Sequence, residues 1–247
     1  MEVYQLTIRQ VPSKSFVYEG RELEAATNLK NYYRWITDGF ETYLNGNGTE
    51  IGAGQGNYSG YLRPYFSSLD LVEPSRKQRQ ALLRSVCNDP AVQVYSETIQ
   101  EYFSIVGPET KDCVCLVNVL EHIEDDRETL LLINNLLRKN GHICLFVPAM
   151  PILYSKLDKI FGHHRRYTMR DLVEKVEGAG FKISKKYYMD LFGVAAWGIV
   201  NTLLGFDNIN GKMASLYDRV FVPTTRLIES YVEIPFGKSL LVVGQKV

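Results

Sequence analysis

The chain predicts an α/β fold: a Rossmann-like, doubly wound, seven-stranded and mostly parallel sheet, with an N-terminal helical lid and a helical insertion before the last strand. Three observations predict it. Short runs rich in Val, Leu and Ile alternate with segments of helical periodicity through most of the 247 residues, and such alternation builds crossover units on a parallel sheet covered on both faces. A glycine turn, Gly52-Ala53-Gly54-Gln55-Gly56, follows the first apolar run, where the first strand of such a sheet hands the chain to a helix. An acid, Glu73, closes the next apolar run, about 20 residues on, as at the end of strand two in a doubly wound sheet.

Each element has its own signal. Leu29, Tyr32, Tyr33, Ile36, Phe40, Tyr43 and Leu44 recur at helical spacing within residues 21–44, and Asn45-Gly46-Asn47-Gly48 ends that helix. After the glycine turn, residues 58–65 continue as helix and Leu69 to Glu73 reads as a buried strand. Arg76 to Cys87 is helical, Val92 to Tyr95 and Asp112 to Val119 are strands three and four, and Glu128 to Leu137 is a helix. Asn140-Gly141 stops that helix before strand five, His142 to Val147. A helix from Met169 to Ala179 ends at Gly180, strand six spans Phe181 to Tyr188, and strand seven begins at Ser239. The organisation is a single domain over 1–247: a lid over 1–45, a core over 46–189, an insertion with two helices over 190–237, and a last strand over 238–247.

Composition narrows the partners. Twenty-eight basic residues balance twenty-eight acidic ones, so no global charge draws the chain to nucleic acid or an anionic membrane. Cys113, Cys115 and Cys144 sit in apolar strand-like runs and Cys87 ends a helix; without a paired Cys-x-x-Cys spacing they read as buried free thiols in a reducing cytoplasm. Met1 to Gln10 lacks the pattern of a signal peptide. The longest apolar stretch, Leu191 to Phe206, falls short of the roughly 20 residues that span a bilayer.

The chemistry starts at Glu50, two places before Gly52. Glycines let backbone N–H groups approach a ligand closely. A dinucleotide site wants a third glycine three residues after the second, under a pyrophosphate, and Asn57 stands there. A carboxylate repels pyrophosphate but pairs with the ammonium group of S-adenosylmethionine (SAM).

Glu50-Ile-Gly52-Ala-Gly54-Gln-Gly56, then Glu73-Pro74, then Asn118-Val-Leu-Glu121-His122-Ile123 resemble in order and spacing the class I SAM-dependent methyltransferases, over about residues 45–190. Within that family the chain is similar to the small-molecule group with Glu-x-Gly-x-Gly-x-Gly and Leu-Glu-His-Ile motifs. The resemblance implies that Gly52, Ala53 and Gly54 contact the methionine portion of SAM, with Glu50 near its amino group. It implies that Glu73, beside Pro74, binds the ribose hydroxyls, that the loop of Glu97 and Thr98 cradles adenine, and that Asn118 and Val119 face the sulfonium. Many relatives carry Asp where Glu97 stands. Tyr33 and Arg34 could close over the cofactor, the arginine pairing its carboxylate, or belong to an ordinary amphipathic helix.

A second cluster, Phe161-Gly-His163-His164-Arg165-Arg166-Tyr167-Thr168, follows strand five and matches a Gly-His-x-Arg-Arg-Tyr run in the same subgroup. Loops at the carboxyl edge of such a sheet face the ligand crevice, so His164, Arg165 and Tyr167 are candidates to orient an acidic or hydroxylated acceptor. The arginines could instead pair with Asp158, Asp171 or Glu174. If the acceptor must lose a proton, His163 is the first candidate base and His122 the second; His122 could equally be structural. His163 and His164 lack identifiable further ligands, so no metal is expected. Trp197, in an insertion segment apolar on nearly every side, could wall a pocket for an apolar or lipid-linked acceptor. The reading is methyl transfer from SAM to an oxygen, nitrogen or carbon of a small molecule such as a sugar or secondary metabolite. Its rivals are a non-catalytic SAM-binding regulator and a nicotinamide-dependent oxidoreductase.

Overall fold

A computed structural model of the protein describes residues 29–86, 89–198 and 211–247. Residues 21–28 of the first expected helix, Cys87 and the stretch 199–210 lie outside the described residues. Helix α1 (Lys30–Phe40) leads to β1 (Asn47–Ile51), α2 (Ser59–Leu62), β2 (Ser68–Val72), α3 (Arg76–Ser85), β3 (Val92–Tyr95), α4 (Ile99–Val106) and β4 (Lys111–Val117). Then come α5 (Asp126–Leu136), β5 (Leu137–Pro148), α6 (Lys156–Phe161), α7 (Met169–Gly178) and β6 (Phe181–Met189). The insertion holds α8 (Leu191–Gly198), then α9 (Gly211–Leu216), a π-helical stretch (Tyr217–Phe221) and α10 (Val222–Glu229), before β7 (Ser239–Lys246).

The sheet runs β3-β2-β1-β4-β5-β7-β6. Strands β1 to β5 pair in parallel, and β7 lies antiparallel between β5 and β6. Alternation along β4 shows why both faces are covered: Cys113 and Cys115 pack into one apolar cluster, Val114 and Leu116 into the other, as the two-residue period of a strand requires. The three described cysteines are free and buried, with Cys113 Sγ 3.9 Å from Cys115 Sγ and 3.8 Å from Cys144 Sγ.

The start of β5 departs from expectation. Helix α5 ends at Leu136 and the strand begins at once, so Asn140-Gly141 does not stop the helix. Pairing jumps from Lys111–Leu137 to Cys113–His142, and Asn140, at φ 66°, turns the chain inside that excursion. Asn tolerates this conformation because its short side chain can bond locally.

Among the described residues no helix is long and apolar enough to cross a membrane. Helix α1 buries Tyr32, Tyr33, Trp35, Ile36 and Phe40 against the sheet, with Tyr32 edge-on to Phe146 at 5.9 Å. Leu29, at its N-cap position, supplies no side-chain cap. The insertion does so instead: the Asn31 and Tyr32 N–H groups donate to Asp218 Oδ2 and Oδ1 at 3.1 and 2.9 Å, and Asn31 Nδ2 donates to the Asp218 carbonyl at 3.0 Å. Farther along, Arg226 pairs with Asp38 at 2.6 Å. Since an N-cap is worth about 0.5–2 kcal/mol, Asp218→Ala should lower the midpoint of thermal unfolding by several degrees, roughly 2–4 °C per kcal/mol for a chain of this size. An unchanged midpoint by calorimetry would show that the cap carries no stability.

Candidate active site

Because β2 and β4 flank β1 on opposite sides, the connections leaving β1 and β4 diverge and open a crevice at their carboxyl ends. A cavity of about 760 Å³ lies there. Its floor is the glycine turn. Gly52, Gly54 and Gly56 have φ 71°, 57° and 86°, a region that disfavours any side chain. A Cβ at Gly52 would also come within 2.5 Å of Val119 Cγ2, so the turn sits tightly against the end of β4. Gly52 and Ala53 donate N–H bonds to the Val72 carbonyl at 2.8 and 3.1 Å.

Two carboxylates border this floor. Glu73 Oε2 accepts the Gly54 N–H and Oε1 accepts the Ser75 N–H, both at 2.8 Å. A carboxylate has about four acceptor sites, so it retains capacity for a ligand's hydroxyls. Burial raises its pKa, partly offset by those two backbone N–H bonds. Glu50 lines the same cavity, is 3% exposed and accepts from Ser59 Oγ at 2.5 Å. Burial pushes it up to about 8, with Ser59 opposing and Glu73 adding.

Of the other residues expected at the cofactor, Tyr33, Pro74, Thr98, Asn118 and Val119 line the cavity. Asn118 adopts φ 53° and donates its N–H to the Phe146 carbonyl at 2.8 Å. Two residues fall elsewhere. Arg34 is exposed and outside the lining, since one residue along a helix from Tyr33 turns it about 100° away. Glu97 is buried outside the lining, accepting from Ser96 Oγ at 3.1 Å.

The opposite wall comes from the loop after β5 and from the insertion. His163, His164 and Trp197 line it together with His122, from the 3₁₀ turn Leu120–His122. The rings of His122 and His163 meet edge to face with centroids 4.7 Å apart. His163 Nδ1 lies 2.9 Å from Asp158 Oδ1, which also takes the Arg166 Nε–H at 2.8 Å. Asp158 Oδ2 accepts from the Ser155 N–H and Oγ, capping α6. Burial would raise the Asp158 pKa, but His163 and Arg166 hold it below the usual carboxylate range. Burial, together with His163, lowers His122 to about 3.

The arginines exchange roles relative to expectation. Arg166 lines the cavity, with its guanidinium 4.7 Å from the Trp197 ring. Arg165 points away, pairing with Asp126 at 2.9 Å and donating to the Glu124 carbonyl at 2.6 Å. Tyr167 is fully buried, and its hydroxyl donates to Asp126 Oδ2 at 2.9 Å and approaches the Leu120 carbonyl at 3.2 Å. Both anchor the loop instead of meeting a ligand. Sequence reasoning missed Lys238 and its partner Asp190. Lys238 lines the cavity beside Ser239, its Nζ 2.8 Å from Asp190 Oδ2 and 5.0 Å from the Tyr32 ring centroid. Burial alone would lower its pKa, but Asp190 raises it. The available signal was position: a lysine immediately before a strand antiparallel to β5 falls at the same edge as the carboxyl ends of the parallel strands.

A sequence model of the methyltransferase domain matches residues 32–186. The chain belongs to the methyltransferase domain family. Its cofactor is S-adenosylmethionine. Solved structures share the fold. A putative methyltransferase of Bacillus halodurans is 14% identical, with TM-score 0.60 over 85% of this chain and 98% of that one. A SAM-dependent methyltransferase of Thermotoga maritima, described as a possible histamine N-methyltransferase, is 17% identical, with TM-score 0.61 over 92% and 94%. A Haloferax volcanii putative methyltransferase complexed with its Trm112 activator is 14% identical, with TM-score 0.62 over 93% and 99%. Among proteins with curated annotation, none matches the chain by sequence.

The residues of this methyltransferase fit the cofactor. The left-handed glycine turn lines the cavity with backbone at Gly52 and Gly54, and Glu50 is a buried carboxylate whose charge burial suppresses. An ammonium group beside Glu50 would restore that charge, so the complex holds fewer protons than the free protein. SAM affinity should therefore climb with pH up to about 8 and then level off, and Glu50→Gln should abolish the slope. The same shift predicts that the free protein loses stability as pH rises from about 4.5 through about 8, because the folded state binds the extra proton there. Calorimetry at pH 7 in buffers of different ionisation enthalpy measures the proton release directly; heats independent of buffer would refute it.

Proposed function

We propose that the protein transfers the methyl group of SAM to an oxygen, nitrogen or carbon of a small uncharged acceptor, a sugar or hydroxylated secondary metabolite. The observation that supports this is charge pairing on the acceptor wall. Arg166 is held by Asp158 and Lys238 by Asp190, each at 2.8 Å and with the carboxylate fully buried. Both cations are thus already neutralised, and an anionic acceptor would have to compete with buried carboxylates to reach them. The aromatic faces of Tyr32 and Trp197 with the Ser239 hydroxyl instead suit an apolar body carrying hydroxyls. The cavity volume falls within the range of small-molecule sites.

On this reading Glu50, Gly52, Ala53, Gly54, Glu73, Pro74, Thr98, Asn118, Val119 and Tyr33 hold the cofactor. His163, His164 and Trp197 face the acceptor, and the chain acts as one functional domain in the cytoplasm, where its thiols stay reduced. The cofactor supplies an electrophilic methyl on sulfur. The protein contributes alignment, exclusion of water and fixed electrostatics. Where the acceptor is a hydroxyl, the His163 imidazole, oriented by Asp158, serves the removal of its proton, and His122, kept neutral by burial, packs against that ring.

Titration calorimetry with SAM, S-adenosylhomocysteine and NADH tests the cofactor half. Adenosyl ligands should bind and NADH should not, and Glu73→Ala should weaken adenosyl binding by about 10–100-fold, the loss of hydrogen bonds to a charged group. Preference for NADH would point to an oxidoreductase, and adenosyl binding without turnover across a broad acceptor screen would point to a regulator. In an acceptor assay, His163→Ala should cut kcat by roughly 100-fold or more while leaving adenosylhomocysteine affinity nearly unchanged; undiminished turnover would remove His163 from the mechanism.

A further inference from the structure

We propose that Glu121, His122 and His163 form a divalent transition-metal site that opens onto the acceptor half of the cavity. The inference rests on the methyl-transfer reading and specifies how its two imidazoles act. One ligand atom from each side chain lies within 4.8 Å of the other two. All three residues line the cavity, so an ion held by them would border the space an acceptor would occupy. Two imidazoles, a carboxylate and one open position make the ligand set of catalytic zinc sites.

The surroundings of the cluster are those of a built site. A metal-ligating histidine characteristically donates its other ring N–H to a carboxylate or backbone carbonyl, which fixes its orientation and raises its basicity. Both imidazoles have that support. Asp158 Oδ1 lies 2.9 Å from His163 Nδ1, and the Gly162 backbone hydrogen-bonds His122. Asp158 is itself held by the Ser155 cap and by Arg166, so this support does not depend on an ion. The turn and the loop that form the site are laced together by backbone: the His164 N–H donates to the Glu121 carbonyl at 2.8 Å. Among the described residues the other group with metal-ligating spacing, Cys113, Cys115 and Cys144, lies inside the sheet, fully buried and away from the cavity.

A hydroxyl acceptor bound at the open position would lose its O–H proton to solvent more readily, as metal-bound water does. Its oxygen would then form the new bond to carbon while the carbon–sulfur bond breaks, the electron pair staying on sulfur as a neutral thioether and the proton leaving to buffer. Such a site favours acceptors with an oxygen to offer, narrowing the choice among oxygen, nitrogen and carbon.

The test is titration of the full chain, stripped with chelator, with Co²⁺ followed by absorption and with Zn²⁺ followed by calorimetry. Adenosylhomocysteine binding is measured in parallel. The expected result is one ion per chain and visible cobalt bands without a near-ultraviolet thiolate band. Glu121→Gln and His163→Ala should each weaken the ion by tenfold or more while adenosylhomocysteine still binds, which also reports that the variants are folded. The Glu121 change is nearly isosteric and guards against a His163 variant that fails to fold. Absence of binding, a thiolate band, or binding unaffected by both changes would overturn the metal site. If adenosylhomocysteine binds while no ion does, only this inference falls; if adenosylhomocysteine itself fails to bind, the methyl-transfer reading falls whatever the ion does.

Discussion

Parallel pairing of β1 to β5 is the constraint on which everything else depends. A parallel neighbour cannot be reached by a tight turn, so each strand returns through a helix and all five end at the same edge. That rule alone gathers Glu50, Glu73, Asn118 and the loop after Pro148 at one edge, although about a hundred residues of chain separate the first from the last. The order β3-β2-β1-β4 then parts the connections on either side of β1 and leaves a crevice that later segments can wall but need not create. The antiparallel β7 brings in Lys238 and Ser239 from the far end of the chain without disturbing this plan.

Charge is distributed unevenly inside the crevice, and the asymmetry separates its two halves. On the wall built by the loop after β5 and the insertion, Asp158 and Asp190 each hold a cation and backbone or side-chain donors, so the field there is closed on itself. On the glycine-turn side, Glu50 accepts from the neutral Ser59 hydroxyl, and burial and Glu73 both raise its pKa. Burying a carboxylate without a partner disfavours its charged form. Among the described residues no cation pairs with Glu50, which suits it to a ligand that brings one. Neutralisation on the other half limits the attraction of stray anions, which suits a site that must exclude water around a reactive sulfonium.

Much of this was legible in the chain. The seven strands, apart from the early start of β5, the glycine turn, the acid after strand two and the Asn118-to-Ile123 segment lay where local pattern placed them, because strand alternation and left-handed glycines are properties of neighbouring residues. The misreadings concern direction. Arg165 and Arg166 are adjacent and chemically identical, yet one faces the cavity and the other Asp126, a difference set by the loop's backbone path. Arg34 beside Tyr33 fails in the same way. Glu121 and His122 lie some forty residues upstream of His163 and come near it only across the β4–β5 edge, a proximity that local pattern does not show. Lys238 and Asp190 were invisible for a similar reason: their pairing closes a circuit through the insertion.

The cap that Asp218 places on α1 has a consequence for how such an enzyme can diversify. Its carboxylate grips the amides of Asn31 and Tyr32, groups that any residue other than proline would present. The joint between the two walls is therefore largely indifferent to the side chains it joins. Substitutions of the Tyr33, Ala214 or Trp197 side chains, which line the cavity, can reshape it without unfastening that joint. Change in the cavity's lining and persistence of the architecture are thereby uncoupled.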